Sequence, residues 1–236
     1  MKIGALSYHS IGNLNDHSNV RMVVKLGQDK PAATSYIWVM TRAAPYNRDV
    51  ALDAALSLFW QKGYHATSLK DLEGALQMKP GSIYAAFKSK EALYLAALDR
   101  YFDRNLSVLA HLQDNAASPL TALADFLRGF AGQAVDDPNR QACMLVRTML
   151  DMSQEEGVIG ARARDHLDVM LDKITQIFAT AQQAGELPAN ADLPRLARRF
   201  QAEVTALRIE AHRGGNPENL VDLAEDMAQD VEALRV

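Results

Sequence analysis

Histidines, cysteines and paired carboxylates do most covalent and metal chemistry in proteins, and in this chain they are dispersed. The six histidines stand at 9, 17, 65, 111, 166 and 212. No two are four residues apart, so no HExxH zinc helix is present. Asp136-Asp137 and Glu155-Glu156 are immediate neighbours; on a helix such pairs point apart and suit solvated turns. A phosphate-cradling glycine-rich loop and a nucleophile elbow are both missing. We expect no enzyme, no cofactor and no metal site. The lone Cys143 excludes an internal disulfide and a four-cysteine metal site. Arg140 and Arg147 nearby, and a helix start, would favour its thiolate. Equally, Ala142-Cys143-Met144-Leu145-Val146 reads as an inert, buried cysteine among apolar neighbours.

A different chemistry, contact with a polyanion, follows from a short segment near residue 80. Pro80 suits a first helical position, where its missing N–H is not needed. Ile83 and Phe87, four residues apart, point inward and turn Ser82, Tyr84 and Ala85 outward. Gly81, Ser82, Ala85 and Ala86 are small enough for this helix to enter a DNA major groove about 12 Å wide.

Two earlier helices must hold that probe. Leu52, Ala55, Leu56 and Phe59 form one apolar stripe, and Gly63 stops the helix after Lys62. Ser68 opens Ser-Leu-Lys-Asp, a capping-box start for a helix burying Leu69, Leu72 and Leu76. Two helices joined by a short turn, the second with a small-residue outer face, make a helix-turn-helix. Three ordinary amphipathic helices of a bundle fit the periodicity as well. Lys88-Ser89-Lys90-Glu91 then begins a long fourth helix reaching about Gln113.

Length and charge bound the rest. The 236 residues, 48% of them hydrophobic, can bury a sizeable core. No apolar run approaches the roughly 18 residues of a membrane span, and no export signal is apparent, so we expect a soluble cytoplasmic protein without a membrane partner. The net charge of -4 hides an asymmetry: residues 1–39 and 40–95 each sum to +2, and residues 96–236 to -8. A basic front on an acidic back suits a polyanion-binding head, although +2 by itself is weak support.

The run Ala54-Ala55-Leu56-Ser57-Leu58-Phe59-Trp60-Gln61-Lys62-Gly63-Tyr64-His65-Ala66-Thr67-Ser68-Leu69, followed by Gly81-Ser82-Ile83-Tyr84-Ala85-Ala86-Phe87-Lys88-Ser89-Lys90-Glu91-Ala92-Leu93, strongly resembles the TetR family of bacterial transcriptional regulators. The likeness is dense over 48–95 and one of layout beyond. It implies an all-α protein: a helix-turn-helix DNA-binding domain over 40–90, then a helical ligand-sensing and dimerisation domain over 91–236. Residues 1–39 read as a poorly ordered arm, or as upstream sequence ahead of a start at Met40. The resemblance further implies a repressor that binds double-stranded palindromic operator DNA as a homodimer and is released by a small-molecule effector. Release through Cys143 is the alternative, and a helical interaction protein that binds no DNA is a further one.

Residue by residue, the resemblance gives Thr67 and Ser68 phosphate contacts from a helix start, and Tyr84 a backbone contact through its phenol. Lys90 becomes a phosphate clamp with Lys88 beside it. Lys79, Gly81, Ser82 and Ala85 then lie at base edges. Gln77 stands where the family commonly has glycine, so either that turn is less left-handed here or it is strained. Lys79 replaces a capping residue, which suggests a gain in DNA contact.

In the body, helices are expected over about 118–135, 140–152, 159–183, 193–212 and 217–235. The apolar stripes Leu196, Phe200, Val204, Leu207 and Leu220, Leu223, Met227, Val231 are assigned to the dimer interface, with intramolecular packing as the alternative. The effector cavity is assigned to Phe102, Phe126, Phe130, Met144, Met170 and Phe178, with Arg147 and His166 as polar handles.

Overall fold

The computed structural model describes residues 47–136, 143–152 and 157–236, and every regular element among them is an α-helix. In chain order these are α1 (Arg48–Lys62), α2 (Leu69–Leu76), α3 (Pro80–Phe87), α4 (Lys90–Asn115), α5 (Pro119–Asp136), α6 (Met144–Asp151), α7 (Gly157–Gln183), α8 (Leu193–Arg213) and α9 (Pro217–Glu232). The expected arm over residues 1–39, the start at Met40, the turn over 137–139 and Arg140 lie outside the described residues.

Local chemistry sets the head. The apolar stripe of α1 is buried, and Gly63, at φ 80, ends the helix with its N–H donating to the Phe59 carbonyl at 2.7 Å. A reciprocal box starts α2: the Asp71 N–H donates to Ser68 Oγ at 3.2 Å, and the Ser68 N–H donates to the Asp71 carboxylate at 2.8 Å. Lys62 pairs with the same carboxylate at 2.6 Å. Together these contacts, Lys62 foremost, hold the Asp71 carboxyl well below the usual range.

The turn after α2 is left-handed: Gln77 sits at φ 53, ψ 38. Of the two sequence-based alternatives, strain is therefore the one realised. A side chain there costs about 1–2 kcal/mol, partly offset by glycine's greater chain entropy. Gln77→Gly is expected to stabilise the protein by about 0.5–1 kcal/mol, raising Tm by about 1–4 °C in calorimetry; a lower Tm would refute the strain. A second tight point follows α3. Lys88 lies at φ 69, ψ -51, and the Ser89 N–H donates to the Phe87 carbonyl at 2.8 Å, a γ-turn.

The core does not divide at the expected domain boundary of residue 90. Leu93, Tyr94, Ala97, Leu98 and Tyr101 of α4 are buried in one cluster with Leu56, Phe59, Leu72, Ile83 and Phe87, and α6 and the start of α7 join it. One long helix serves head and body together. Arg100 braces the joint, donating to Asp53 and to Asp49, with Arg104 also on Asp53.

A second cluster unites α5, the end of α7, α8 and α9. Here α9 packs along α5 and α8 along α7. Arg128 of α5 pairs with Glu225 at 2.7 Å and Glu232 at 2.9 Å on α9, holding the Glu225 carboxyl down to about 2. For Phe200, Leu207 and Val231 this packing is the intramolecular alternative to the interface assignment. Phe200, Leu207 and Val231 are buried in the chain's own core, and Leu196, Val204, Leu220, Leu223 and Met227 pack half-buried against it. Stripes with 3 and 4 spacing found the nearest apolar faces, those of α5 and α7. The exposed side of the pair carries Ala202, Ala206, Ile209 and Val221 instead.

Candidate nucleic-acid interface and ligand cavity

Ile83 and Phe87 anchor α3 from below, leaving Lys79, Gly81, Ser82, Tyr84, Ala85 and Lys88 exposed on its outer side and ends. Tyr84 is 44% exposed, unusually open for its size. Lys79 occupies the N-cap of α3 without a side-chain capping bond, so the positive end of the helix dipole and a lysine share one edge. Ser68 is exposed at the start of α2, where a helix N-terminus suits phosphate.

One expected contact is corrected. Thr67 is fully buried and donates its hydroxyl to the Gly63 carbonyl at 2.6 Å; it ties the loop to the end of α1 and cannot reach a phosphate. Lys90 is half-buried, its ammonium 4.5 Å from the centre of the Tyr64 ring. Burial pushes its pKa down, and the aromatic face fixes its position by a cation–π contact.

A cavity of about 520 Å3, counting its open mouth, lies among α4, α5, α6, α7 and α8. Of the residues assigned to the effector cavity, Phe126 and Met170 line it; Cys143, at the N-cap of α6, lines it too. The other assigned residues do not. Phe102 is buried in the head-side core, stacked on His166 at 4.1 Å. His166 itself sits 2.8 Å from Asp99, a carboxylate that Arg162 also holds at 2.7 Å. Met144 and Phe178 are core residues with no share in the wall. Phe130 lies beneath the Arg208 guanidinium at 5.0 Å. Helical periodicity marks a buried face, and a cavity wall and solid core share that signature.

Arg147 has a different place from the one assigned. Its guanidinium crosses to the head, donating to the carbonyls of Trp60 at 3.0 Å and Gln61 at 3.2 Å, with Asp151 at 3.3 Å. It thereby caps the end of α1. Glycine is needed at Gly63 for its φ of 80, and a Cβ there would also come within 3.0 Å of Arg147 Nη2, the movable tip of that side chain. Beside it, the phenol of Tyr94 meets Thr148 of α6 at 2.7 Å, and burial raises the Tyr94 pKa.

Periodicity did not single out Tyr101, Asn105, Gln201, Thr205 and Arg208 as lining residues. A signal was available: Gln201, Thr205 and Arg208 follow one another at 4 and 3, a polar stripe directly beside the apolar one of α8. Arg208 is buried and donates to the Tyr101 phenol and to Asn105 Oδ1 at 2.7 Å. Burial opposes its charge, while Tyr101 and Cys143 nearby favour it, and the net shift is upward. Burial likewise raises the Tyr101 phenol. Among the described residues no group of three metal-ligating side chains converges, and no helix is long and apolar enough to cross a membrane.

Comparison with known proteins places this geometry. The family model "Bacterial regulatory proteins, tetR family" matches residues 51–97, and "Tetracyclin repressor-like, C-terminal domain" matches 119–225. The chain is 33% identical over 184 residues to the HTH-type transcriptional repressor ComR of Escherichia coli strain K12, covering 78% of this chain and 88% of that protein. Among solved structures it resembles a cysteine mutant of the TetR family regulator CifR in complex with 26-bp double-strand operator DNA. The TM-score is 0.73 and the identity 26%, over 80% of this chain and 98% of that one. A putative TetR regulator from Rhodococcus sp. RHA1 shares 35% identity at TM-score 0.53, over 77% of this chain and 97% of its own. From α1 through the face of α3 to the helical body, the chain belongs to the TetR family of bacterial transcriptional regulators.

Proposed function

We propose that this regulator is a cytoplasmic repressor that grips a palindromic operator as a homodimer, one α3 in each half-site, and lets go when a small molecule enters the cavity. The outward side of α3 carries the reading: small residues and Tyr84 exposed on a helix fastened from below by Ile83 and Phe87. Lys79, Ser82 and Ala85 meet base edges, and Tyr84, Lys88 and Ser68 meet phosphates. Half-sites about 34–36 Å apart require two copies. The second copy seats on the exposed strip of Ala202, Ala206, Ile209 and Val221, whose small side chains permit close helix approach. That pairing is isologous. Mobility shift with DNA upstream of the protein's own gene tests the reading; the absence of a salt-sensitive complex would overturn it.

Release follows from the joint at α6. Cys143 and Leu145 form part of the cavity wall, and Arg147, on the same short helix, holds the end of α1. A ligand that moves α6 therefore moves the head. Arg147→Ala is expected to lower stability by about 1–2 kcal/mol, from carbonyls left unpaired, and to weaken operator binding. Unchanged affinity in the variant would remove α6 as the relay. A second reading, release by thiol modification, is favoured by the place of Cys143 in that wall. Cys143→Ser protein that still releases DNA on oxidation would dispose of it.

A further inference from the structure

Among the described residues, Arg208 is the single charged side chain lining the cavity. It is 8% exposed, and among the described residues no carboxylate pairs with it; its partners are a phenol and an amide oxygen. Arg128 and Arg162 are more exposed, yet each is matched by carboxylates. A cation taken out of water without a counter-charge is strongly disfavoured, so this guanidinium calls for an anion.

The other polar groups of the wall are neutral and each already makes a bond within the chain. Asn105 Nδ2 donates to the Tyr101 carbonyl at 2.8 Å, Gln201 Nε2 to the Leu167 carbonyl at 2.9 Å, and Thr205 Oγ1 to the Gln201 carbonyl at 2.9 Å. Among the described residues Arg208 alone brings a charge to the wall, and two hydrogen bonds leave some of its five N–H donors over. Around it Leu109, Phe126, Met170, Ile174 and Val204 offer apolar surface.

We propose that the cavity takes a monocarboxylate with an apolar body, its head group paired to Arg208 and its body laid against Phe126, Met170 and Ile174. A guanidinium fork matches a carboxylate in plane. One cation balances one negative charge, which disfavours a phosphate dianion in the same walls. This assignment names the chemistry of the effector and so rests on the effector reading above.

Octanoate, octan-1-ol and octylamine, matched in chain length, are the probes, titrated calorimetrically into the full chain at pH 7. Octanoate is expected to bind about tenfold or more tightly than octan-1-ol, as a charge-assisted pair would give, and octylamine to bind weakest. Arg208→Gln should erase the preference for octanoate while keeping the affinity for octan-1-ol, which a misfolded variant would not do. Equal binding of octanoate and octan-1-ol by the unaltered protein overturns the proposal, as does a failure of octanoate to bind; neither result depends on the variant folding. Mobility shifts run in parallel separate the two readings. Octanoate that binds through Arg208 without releasing DNA defeats the effector reading and leaves the ligand class standing. Release by octan-1-ol as readily as by octanoate defeats the carboxylate and leaves the effector reading standing.

Discussion

Ala85→Glu is expected to reduce operator affinity by about 100-fold or more, because it sets a carboxylate on the outward side of α3, against phosphates and base edges. Folding should be nearly untouched. Ala85 is exposed and two residues from each of the buried Ile83 and Phe87, on the opposite side of the helix, and surface changes of that kind stay within about 0.5 kcal/mol. Fluorescence anisotropy on a labelled operator, alongside thermal melts, measures both quantities. Ala184→Glu, exposed in the turn after α7, is the control and should bind as the unaltered protein does. Full binding by the Ala85 variant would mean that α3 is not the reading helix.

The second large effect concerns what holds that helix in place. Phe59 is 1% exposed and meets Tyr94 edge-to-face, with ring centroids 4.8 Å apart. Its loss in Phe59→Ala opens a cavity between α1 and α4, costing about 3–5 kcal/mol, including about 0.5–1.5 kcal/mol from the ring pair. Because the same cluster contains Ile83 and Phe87, operator binding should fall along with stability. Urea unfolding of both proteins gives the difference. A loss below about 1 kcal/mol would show that head and body do not share this core.

Where local rules acted alone, residue types foretold the outcome. Gly63 stops α1 because a left-handed residue is cheapest as glycine, and Ser68 with Asp71 starts α2 because the two satisfy each other's backbone donors. The 80–87 helix and its inward pair followed from spacing. Thr67 was misread for a related reason. Its residue type suits a phosphate, but the hydroxyl's nearest acceptor, the Gly63 carbonyl, lies four residues back and inside the loop.

What one position does across the fold was hidden. Leu196 to Leu207 and Leu220 to Val231 are apolar whether they face a second subunit or α5 and α7, since burial is all that a stripe reports. Arg147 sits among apolar neighbours in sequence, and only the folded chain brings it to carbonyls 87 and 86 residues away.

Sequence by itself determined the helical class and the order of the helices, because caps, turns and periodicity act over a few residues; the helix-turn-helix and its exposed probe followed from the family resemblance, since periodicity fits a plain bundle as well. Tertiary structure alone decided which apolar faces meet within the chain, that α6 clasps α1, and that Arg208 stands without a carboxylate inside a greasy cavity. Those outcomes depend on pairs of groups about 40 to 110 residues apart, whose meeting no local preference encodes.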